Sequence, residues 1–168
     1  SVSRKRRRKA RDRREEKRRF LKGLARVPST ALQVFTDGSA LGNPGPGGAG
    51  YYMCADHVGP LLYYSYHIPS STNNVAELTA LLLAITKLTQ QLPRYTRDQR
   101  FPVYFFIDNQ YTIKAAEGTI RARKNRQLVE RLRSAVAELG RLTAVHFRWV
   151  PGHAGIFQNE VADWLAKR

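Results

Sequence analysis

Cysteine is nearly absent from this chain of 168 residues, which contains one, Cys54. A single cysteine excludes an internal disulfide framework and a cysteine-based zinc site. Because Cys54 stands in the apolar run of residues 51–55, we expect a buried structural thiol. An intracellular protein is expected, mitochondrial or nuclear rather than secreted. Long apolar runs are also absent, and no segment approaches the roughly 20 residues that span a membrane, so no membrane partner is expected.

Acidic residues are scarce as well, with 13 Asp and Glu against 29 Lys and Arg and a net charge of +16. Residues 1–23 alone contain 13 of the basic residues and 3 of the acidic ones. Such a balance predicts a polyanionic partner, and we expect nucleic acid in general and RNA for residues 1–23. The alternative for this segment is a solvated tail that only aids solubility.

The basic segment has almost no apolar residue before Phe20, so in isolation it should be disordered or a frayed helix. We therefore predict an arm over residues 1–30, disordered or bound to a partner, and one folded domain over residues 31–168. The chain does not begin with Met, which suggests a fragment or a processed protein. An arginine-rich start also resembles the remnant of an organellar targeting sequence, and a nuclear or RNA-binding arm fits equally well.

Apolar patterning predicts nine elements in the order βββαβααβα. The predicted strands are residues 31–36, 49–55, 61–68, 103–107 and 144–150, and the predicted helices are residues 73–88, 109–117, 126–139 and 157–167. Glycines and prolines predict an irregular turn over residues 41–48. This order favours an α/β fold in which one sheet carries helices on its faces.

Four carboxylates occupy positions that indicate a metal site. Asp37 and Asp108 follow predicted strands, whereas Glu77 and Asp163 lie on predicted helices. Neighbouring strands are about 4.8 Å apart, so Asp37 and Asp108 would repel each other unless a cation or a proton intervenes. Oxygen ligands suit Mg²⁺ or Mn²⁺, and two such ions can assist phosphodiester hydrolysis. Taken singly, each acid could instead be a turn, cap, helix-dipole or surface residue.

Six sequence blocks occur in a recognisable order across residues 31–167. They are residues 36–39 (TDGS), 42–50 (GNPGPGGAG), 72–78 (TNNVAEL), 107–111 (IDNQY), 149–155 (WVPGHAG) and 159–163 (NEVAD). In these blocks the chain resembles type 1 ribonuclease H, in the short, retroelement-like form. The resemblance implies the ribonuclease H-like fold, with a five-stranded mixed sheet.

The same resemblance implies a metal-dependent endonuclease that hydrolyses the RNA strand of RNA–DNA hybrids. It assigns metal ligation and catalysis to Asp37, Glu77, Asp108 and Asp163, with two Mg²⁺ or Mn²⁺ ions expected alongside substrate. His153 matches the family's mobile histidine, which aids deprotonation or product release. A histidine in a glycine-containing loop suits that role because it titrates near neutral pH.

Substrate contacts are implied for six further residues. The resemblance assigns the minor groove to Asn43, Asn73 and Asn74, a DNA phosphate to Thr72 and Asn125, and the groove for the DNA strand to Tyr111. Without the resemblance, Asn125 would be interpreted as a helix cap and Tyr111 as a core residue. The histidines His57, His67 and His146 match no block and are expected to be structural or superficial.

The chain departs from many cellular members between Asp108 and Asn125. These residues are separated by 16 positions without tryptophan, where those members have a longer basic protrusion that grips substrate. The basic residues at positions 121–126 are the candidates to substitute for it. This departure leaves the metal ligands intact and puts the strength of substrate binding by the isolated domain in question.

Three hypotheses follow. The first is an active ribonuclease H, free-standing or cut from a retroelement polyprotein. The alternative is a ribonuclease H-like domain that serves as an RNA-binding structural subunit of a large ribonucleoprotein such as an organellar ribosome. A third is a nuclease of this fold that acts on other substrates.

Overall fold

The computed structural model describes residues 2–56, 58–94 and 101–168. In this part of the chain one five-stranded sheet has the order β3-β2-β1-β4-β5. The strands are β1 (Leu32–Ala40), β2 (Gly45–Ala55), β3 (Gly59–Ser71), β4 (Val103–Ile107) and β5 (Val145–Trp149). The helices are α1 (Val2–Leu24), α2 (Asn73–Gln91), α3 (Gln110–Glu117), α4 (Arg126–Gly140) and α5 (Phe157–Lys167), with a 3₁₀ turn at Leu92–Arg94.

The sheet is mixed, as predicted. Strands β1, β2 and β3 form an antiparallel meander, whereas β4 runs parallel to β1 and β5 runs parallel to β4. The register sets Thr36 of β1 opposite Ile107 of β4. Asp37 and Asp108 follow Thr36 and Ile107 directly. They therefore lie at the same level of the sheet. The predicted proximity of these two acids follows from this pairing.

Two apolar cores lie on opposite faces of the sheet. Alternation along β1 sends Val34 to one core and Phe35 to the other, as expected for a strand buried on both faces. The first core joins the sheet to α2, α3 and α4. The second lies under α5 and contains Phe106, Val150 and Leu165. A central strand covered on both sides holds the acids of β1 and β4 in a rigid frame.

The turn predicted over residues 41–48 is wrong at its second half, because β2 already begins at Gly45. Strand β1 also continues to Ala40, so Asp37 lies inside a strand rather than at its end. The glycines allow a close approach of α5: a Cβ atom on Gly48 would lie 2.0 Å from the carbonyl oxygen of Ala166. Glycine in this strand thus serves helix packing rather than a turn.

The basic arm forms the helix α1. The sequence alone predicted either disorder or a frayed helix for this segment. Residues 2–14 are exposed throughout, whereas Phe20, Leu24 and Val27 pack against the second core. The ring of Phe20 meets the ring of Phe106 edge-on, with centroids 5.5 Å apart. Three apolar side chains therefore dock the end of the arm. The division into an arm over residues 1–30 and a domain over residues 31–168 stays a prediction.

The structure also bears on several smaller predictions about single residues and connections. Cys54 is a buried free thiol, as predicted. The connection of α3 to α4, residues 118–125, contains no helix in the described structure, consistent with the short form of the family. Residues 95–100 and His57 lie outside the described residues, whereas His146 stacks on the ring of Tyr104. None of the helices in the described part of the chain has the length and apolar character that crossing a bilayer requires.

Candidate metal centre and active site

Four elements bring the acids to one end of the sheet. Asp37 lies on β1, Asp108 directly follows β4, and Asp163 lies on α5. Glu77 lies in the first two turns of α2, a helix whose start is fixed by Thr72. The side chain of Thr72 accepts a hydrogen bond of 3.2 Å from the backbone N–H of Val75.

Gly38 permits the contact between α2 and β1 that places Glu77 beside Asp37. A Cβ atom on Gly38 would lie 2.2 Å from both the carbonyl carbon of Ala76 and the backbone nitrogen of Glu77. No larger residue fits this gap without moving the helix. The glycine of the TDGS block therefore has a packing role, while its backbone N–H donates to the carboxylate of Asp37 at 3.0 Å.

Three of the four acids form a tight group. One carboxylate oxygen from each of Asp37, Glu77 and Asp108 lies within 4.8 Å of the others. Asp37 and Glu77 are each 5% exposed, and Asp108 is partly buried. The Oε2 atom of Glu77 is buried and has no hydrogen-bond partner among the described residues. Three carboxylates at this separation require protons or cations between them.

Burial changes the ionisation of this group. It raises the pKa of Asp37 to about 8, and the charges of Asp108 and Asp163 add to the effect. Burial also raises the pKa of Glu77 well above its usual range, and the charge of Asp37 raises it further. Without metal, the group therefore retains protons near neutral pH, and a bound cation would displace them.

Asp108 is held by two side chains. Asn159 donates from Nδ2 to Oδ2 of Asp108 at 3.4 Å, and Trp149 donates from Nε1 to the backbone oxygen of Asp108 at 3.3 Å. Burial raises the pKa of Asp108, and the hydrogen bond from Asn159 opposes that rise. Asn159 is 3% exposed and was missed by the sequence prediction. Its signal was its position four residues before Asp163, on the same helix face.

Asp163 lies beside the group of three, next to Asp37, but outside the 4.8 Å set. Both of its carboxylate oxygens contact Nζ of Lys167, at 3.0 and 3.2 Å. Burial acts to raise the pKa of Asp163, but hydrogen bonds from Asp37 and Lys167 outweigh it and leave that pKa lowered. Asp163 is therefore the readily ionised acid, and Lys167 supplies the positive charge that its carboxylate faces.

His153 lies in the connection between β5 and α5. It is exposed and has a φ of 54°, close to Gly155 with a φ of 80°. Its charge favours the ionised forms of Asp108 and Asp163. A Cβ atom on Gly152 would lie 3.2 Å from Oδ2 of Asp108. The loop thus passes directly against the acidic group and presents its histidine to solvent.

The three asparagines predicted to contact the minor groove are all exposed. Asn43 lies in the connection of β1 to β2, and Asn73 and Asn74 open α2. Oδ1 of Asn73 accepts a hydrogen bond from the backbone N–H of Ala40 at 2.9 Å. That bond orients the side chain and leaves its amide nitrogen to donate elsewhere.

The remaining predicted contact residues occupy separate settings. Thr72 uses its side chain to cap α2. Asn125 occupies the N-cap position of α4 with a φ of 57°, but its side chain makes no capping hydrogen bond. Tyr111 is partly buried and packs against the first core. The roles implied for these side chains stay predictions.

Comparison with known proteins identifies the family of this chain. The family model described as RNase H matches residues 29–168. The chain belongs to the ribonuclease H family. A ribonuclease H of Vibrio cholerae is 34% identical over 141 residues, covering 82% of this chain and 86% of that protein. A ribonuclease H of Saccharopolyspora erythraea is 32% identical over 146 residues, covering 81% and 88%.

A solved ribonuclease H structure agrees with the fold. LC11-RNase H1, in complex with an RNA/DNA hybrid, is 25% identical with a TM-score of 0.67, over 81% of this chain and 94% of that chain. The predicted family, the ribonuclease H fold and the enzyme class are confirmed by these matches. The six sequence blocks therefore identified the family correctly.

Proposed function

We propose that the protein is a metal-dependent endonuclease that hydrolyses the RNA strand of RNA–DNA hybrids. The observation that supports this most is the group of three carboxylates whose oxygens lie within 4.8 Å of one another. A ribonuclease H structure that resembles this chain is a complex with an RNA/DNA hybrid. The reaction is attack of water on a backbone phosphorus, with transfer of a proton to the departing ribose oxygen.

The residues present fit Mg²⁺ or Mn²⁺. All candidate ligands are oxygens, which these hard cations prefer, and the Oε2 atom of Glu77, which has no hydrogen-bond partner in the described part of the chain, can still accept an interaction. Asp37, Glu77, Asp108 and Asp163 would hold the metal, with two ions expected when substrate is present. Such ions supply Lewis-acid stabilisation of charge at the phosphate and lower the pKa of bound water.

The buried and the exposed side chains of the site would have different roles. Asp37 and Glu77 are almost fully shielded from solvent, so they would fix the geometry of the centre. Asp108 is kept in position by Asn159. His153 is exposed on the loop beside Asp108, where it can exchange a proton between the site and bulk water.

Substrate selection would rest on the asparagines near the start of α2. The amide nitrogen of Asn73, oriented by Ala40, can donate to base edges or ribose hydroxyls in a minor groove. The ribose 2′-hydroxyl is what distinguishes RNA from DNA at such a site. Asn43 and Asn74 would make similar contacts. Thr72, Asn125 and Tyr111 would position the DNA strand.

The alternative, a structural subunit of a ribonucleoprotein, is not favoured by the comparisons, because the named relatives are ribonucleases H. The ribonucleoprotein or retroelement context and the mitochondrial or nuclear location stay predictions. The intact set of four acids supports an enzyme, since an RNA-binding scaffold has no need of carboxylates that repel phosphate.

A strand-specific cleavage assay tests the proposal. Hybrids labelled on either the RNA or the DNA strand are incubated with the protein and Mg²⁺ or Mn²⁺, with EDTA as control. We expect fragments of the RNA strand alone, and none in EDTA. Equal cleavage of duplex DNA would support a nuclease with other substrates, and absence of cleavage under all conditions would contradict the proposal.

A further inference from the structure

The end of α1 docks beside the candidate active site. Phe20 contacts Phe106, which lies two residues before Asp108 on β4. Residues two apart on a strand share a face and are separated by about 6.6 Å. A Cβ atom on Gly155 would lie 3.3 Å from Nζ of Lys17, so α1 also approaches the loop of His153. The arm is therefore attached next to the reaction centre.

The docked face of α1 follows helical spacing. Lys17, Phe20 and Leu24 are three and four residues apart, and so lie on one side of the helix. The residues before them extend away from the domain, and residues 2–14 are all exposed. At about 1.5 Å per residue, residues 2–16 extend about 22 Å beyond the docking point.

A row of arginines occupies another face of the extended part. Five arginines line one surface groove together with Ala10, namely Arg4, Arg7, Arg8, Arg11 and Arg14. At about 100° per residue, this row is rotated by about 140° from the docked face. The docked residues therefore leave the row open to solvent. Guanidinium groups in a row are suited to phosphate oxygens, which they contact in pairs.

We propose that α1 is a fixed arm whose arginine row binds the phosphates of the hybrid duplex outside the catalytic domain. The inference rests on the proposed function for the identity of the duplex. Its location supports the hybrid rather than a separate RNA, because the docked end of the arm contacts Phe106, two residues before Asp108, and the loop of His153. The acids themselves repel phosphate, and the short connection of α3 to α4 offers little extended surface. A basic arm at this point would compensate for both.

A pair of matched variants tests the arm. The row variant combines Arg7→Gln, Arg8→Gln, Arg11→Gln and Arg14→Gln. The control variant removes four charges from other faces of the same helix segment, by the substitutions Lys5→Gln, Arg6→Gln, Lys9→Gln and Arg13→Gln. Glutamine has nearly the helix propensity of arginine and lysine, so circular dichroism should show unchanged helix content in both.

Binding is measured by fluorescence anisotropy in EDTA, so it does not depend on cleavage. The probes are hybrids of about 8 and about 20 base pairs, which differ in length by at most about 40 Å at the ~3.4 Å per pair of B-form DNA. We expect the row variant to bind the longer hybrid about tenfold more weakly, with a salt slope reduced by about 3. The control variant should change both quantities much less. A third variant, Phe20→Ala, should weaken binding of the longer hybrid with all charges retained.

Several results would overturn the inference. They are equal losses in the row and control variants, equal losses for both hybrid lengths, or tighter binding of single-stranded RNA than of the hybrid. Unchanged binding in Phe20→Ala would contradict a fixed arm. Wild-type protein that shows the expected length and salt dependence in EDTA, yet cuts no hybrid with Mg²⁺, would contradict the proposed function while leaving the arm supported.

Discussion

Asp37 and Glu77 are the residues that make the candidate site unusual within such a basic chain. Both are almost fully buried, and burial raises the pKa of each. Their ionisation is therefore unfavourable until a cation is present. Metal binding should release protons, so metal affinity should rise with pH across the neutral range.

The raised pKa of Asp37 predicts that the metal-free protein is less stable at pH 8 than at pH 5. Between its ordinary pKa of 3.8 and about 8 in the folded protein, the folded state keeps a proton that the unfolded state has lost. Stability therefore falls as pH rises through that window. We expect the melting temperature in EDTA to fall by several degrees from pH 5 to pH 8.

The pH experiment has a matched control. The substitution Asp37→Asn should remove much of the difference between the two pH values, whereas Asp12→Asn, on the exposed part of α1, should leave it intact. Saturating Mg²⁺ at pH 8 should restore part of the lost stability, since the ion binds the folded state. A melting temperature that rises from pH 5 to pH 8 without metal would show that the acids are ionised.

Residue-scale prediction from sequence succeeded where side-chain chemistry is distinctive. An acid directly after an apolar run, such as Asp108, is conspicuous. Asn159 was not predicted, because an asparagine on a helix carries no functional signal in the sequence. Only the fold brings its Nδ2 atom to 3.4 Å from Oδ2 of Asp108. The pairing of Asp163 with Lys167 was also absent from the prediction, although their spacing of four residues favours it.

At the scale of elements, glycines decide how closely helices approach the sheet. Gly38 lets α2 touch β1, and Gly48 lets α5 touch β2. Both helices carry acids of the site, Glu77 and Asp163. The spacing of the carboxylates therefore depends on missing side chains as much as on the acids themselves.

The substitution Gly38→Ala should lower both stability and activity. Its Cβ would lie 2.2 Å from the backbone of α2, and relief of that overlap should cost about 1–3 kcal/mol and move Glu77. The control is Gly140→Ala in α4, where no atom lies within 4 Å of the added Cβ; it should be neutral or stabilising by up to ~1 kcal/mol. Denaturant unfolding and the hybrid cleavage rate provide the measurements. Similar results for the two variants would contradict this role of Gly38.

Element boundaries were predicted well where apolar periodicity determines them. The bounds of β4 and α5 agree with the sequence prediction, because a buried aromatic strand and an amphipathic helix leave strong patterns. The start of β2 was predicted wrongly, because the glycines and prolines at that point are typical of a turn. Only the tertiary contact with Ala166 explains why they lie in a strand. Local composition cannot report a contact with a helix that lies more than a hundred residues later.

At the scale of the whole molecule, basic charge is unevenly distributed. Four acids meet at one end of the sheet, and residues 1–23 hold 13 of the 29 basic residues. The sequence revealed this imbalance but not its geometry, because helix docking depends on the edge-on contact of Phe20 with Phe106, a ring buried in the second core. The chain combines an acidic reaction centre with a basic arm attached nearby.

Cleavage of the RNA strand of a hybrid by wild-type protein and by Asp108→Asn tests the central claim most directly, with Mg²⁺ and equal protein concentrations. The control is Glu160→Gln, an exposed acid on α5 outside the group. We predict cleavage by wild type and Glu160→Gln at similar rates, and loss of at least about a hundredfold in Asp108→Asn, which retains the side-chain shape but loses the charge. Undiminished cleavage by Asp108→Asn, or none by wild type, would contradict the account.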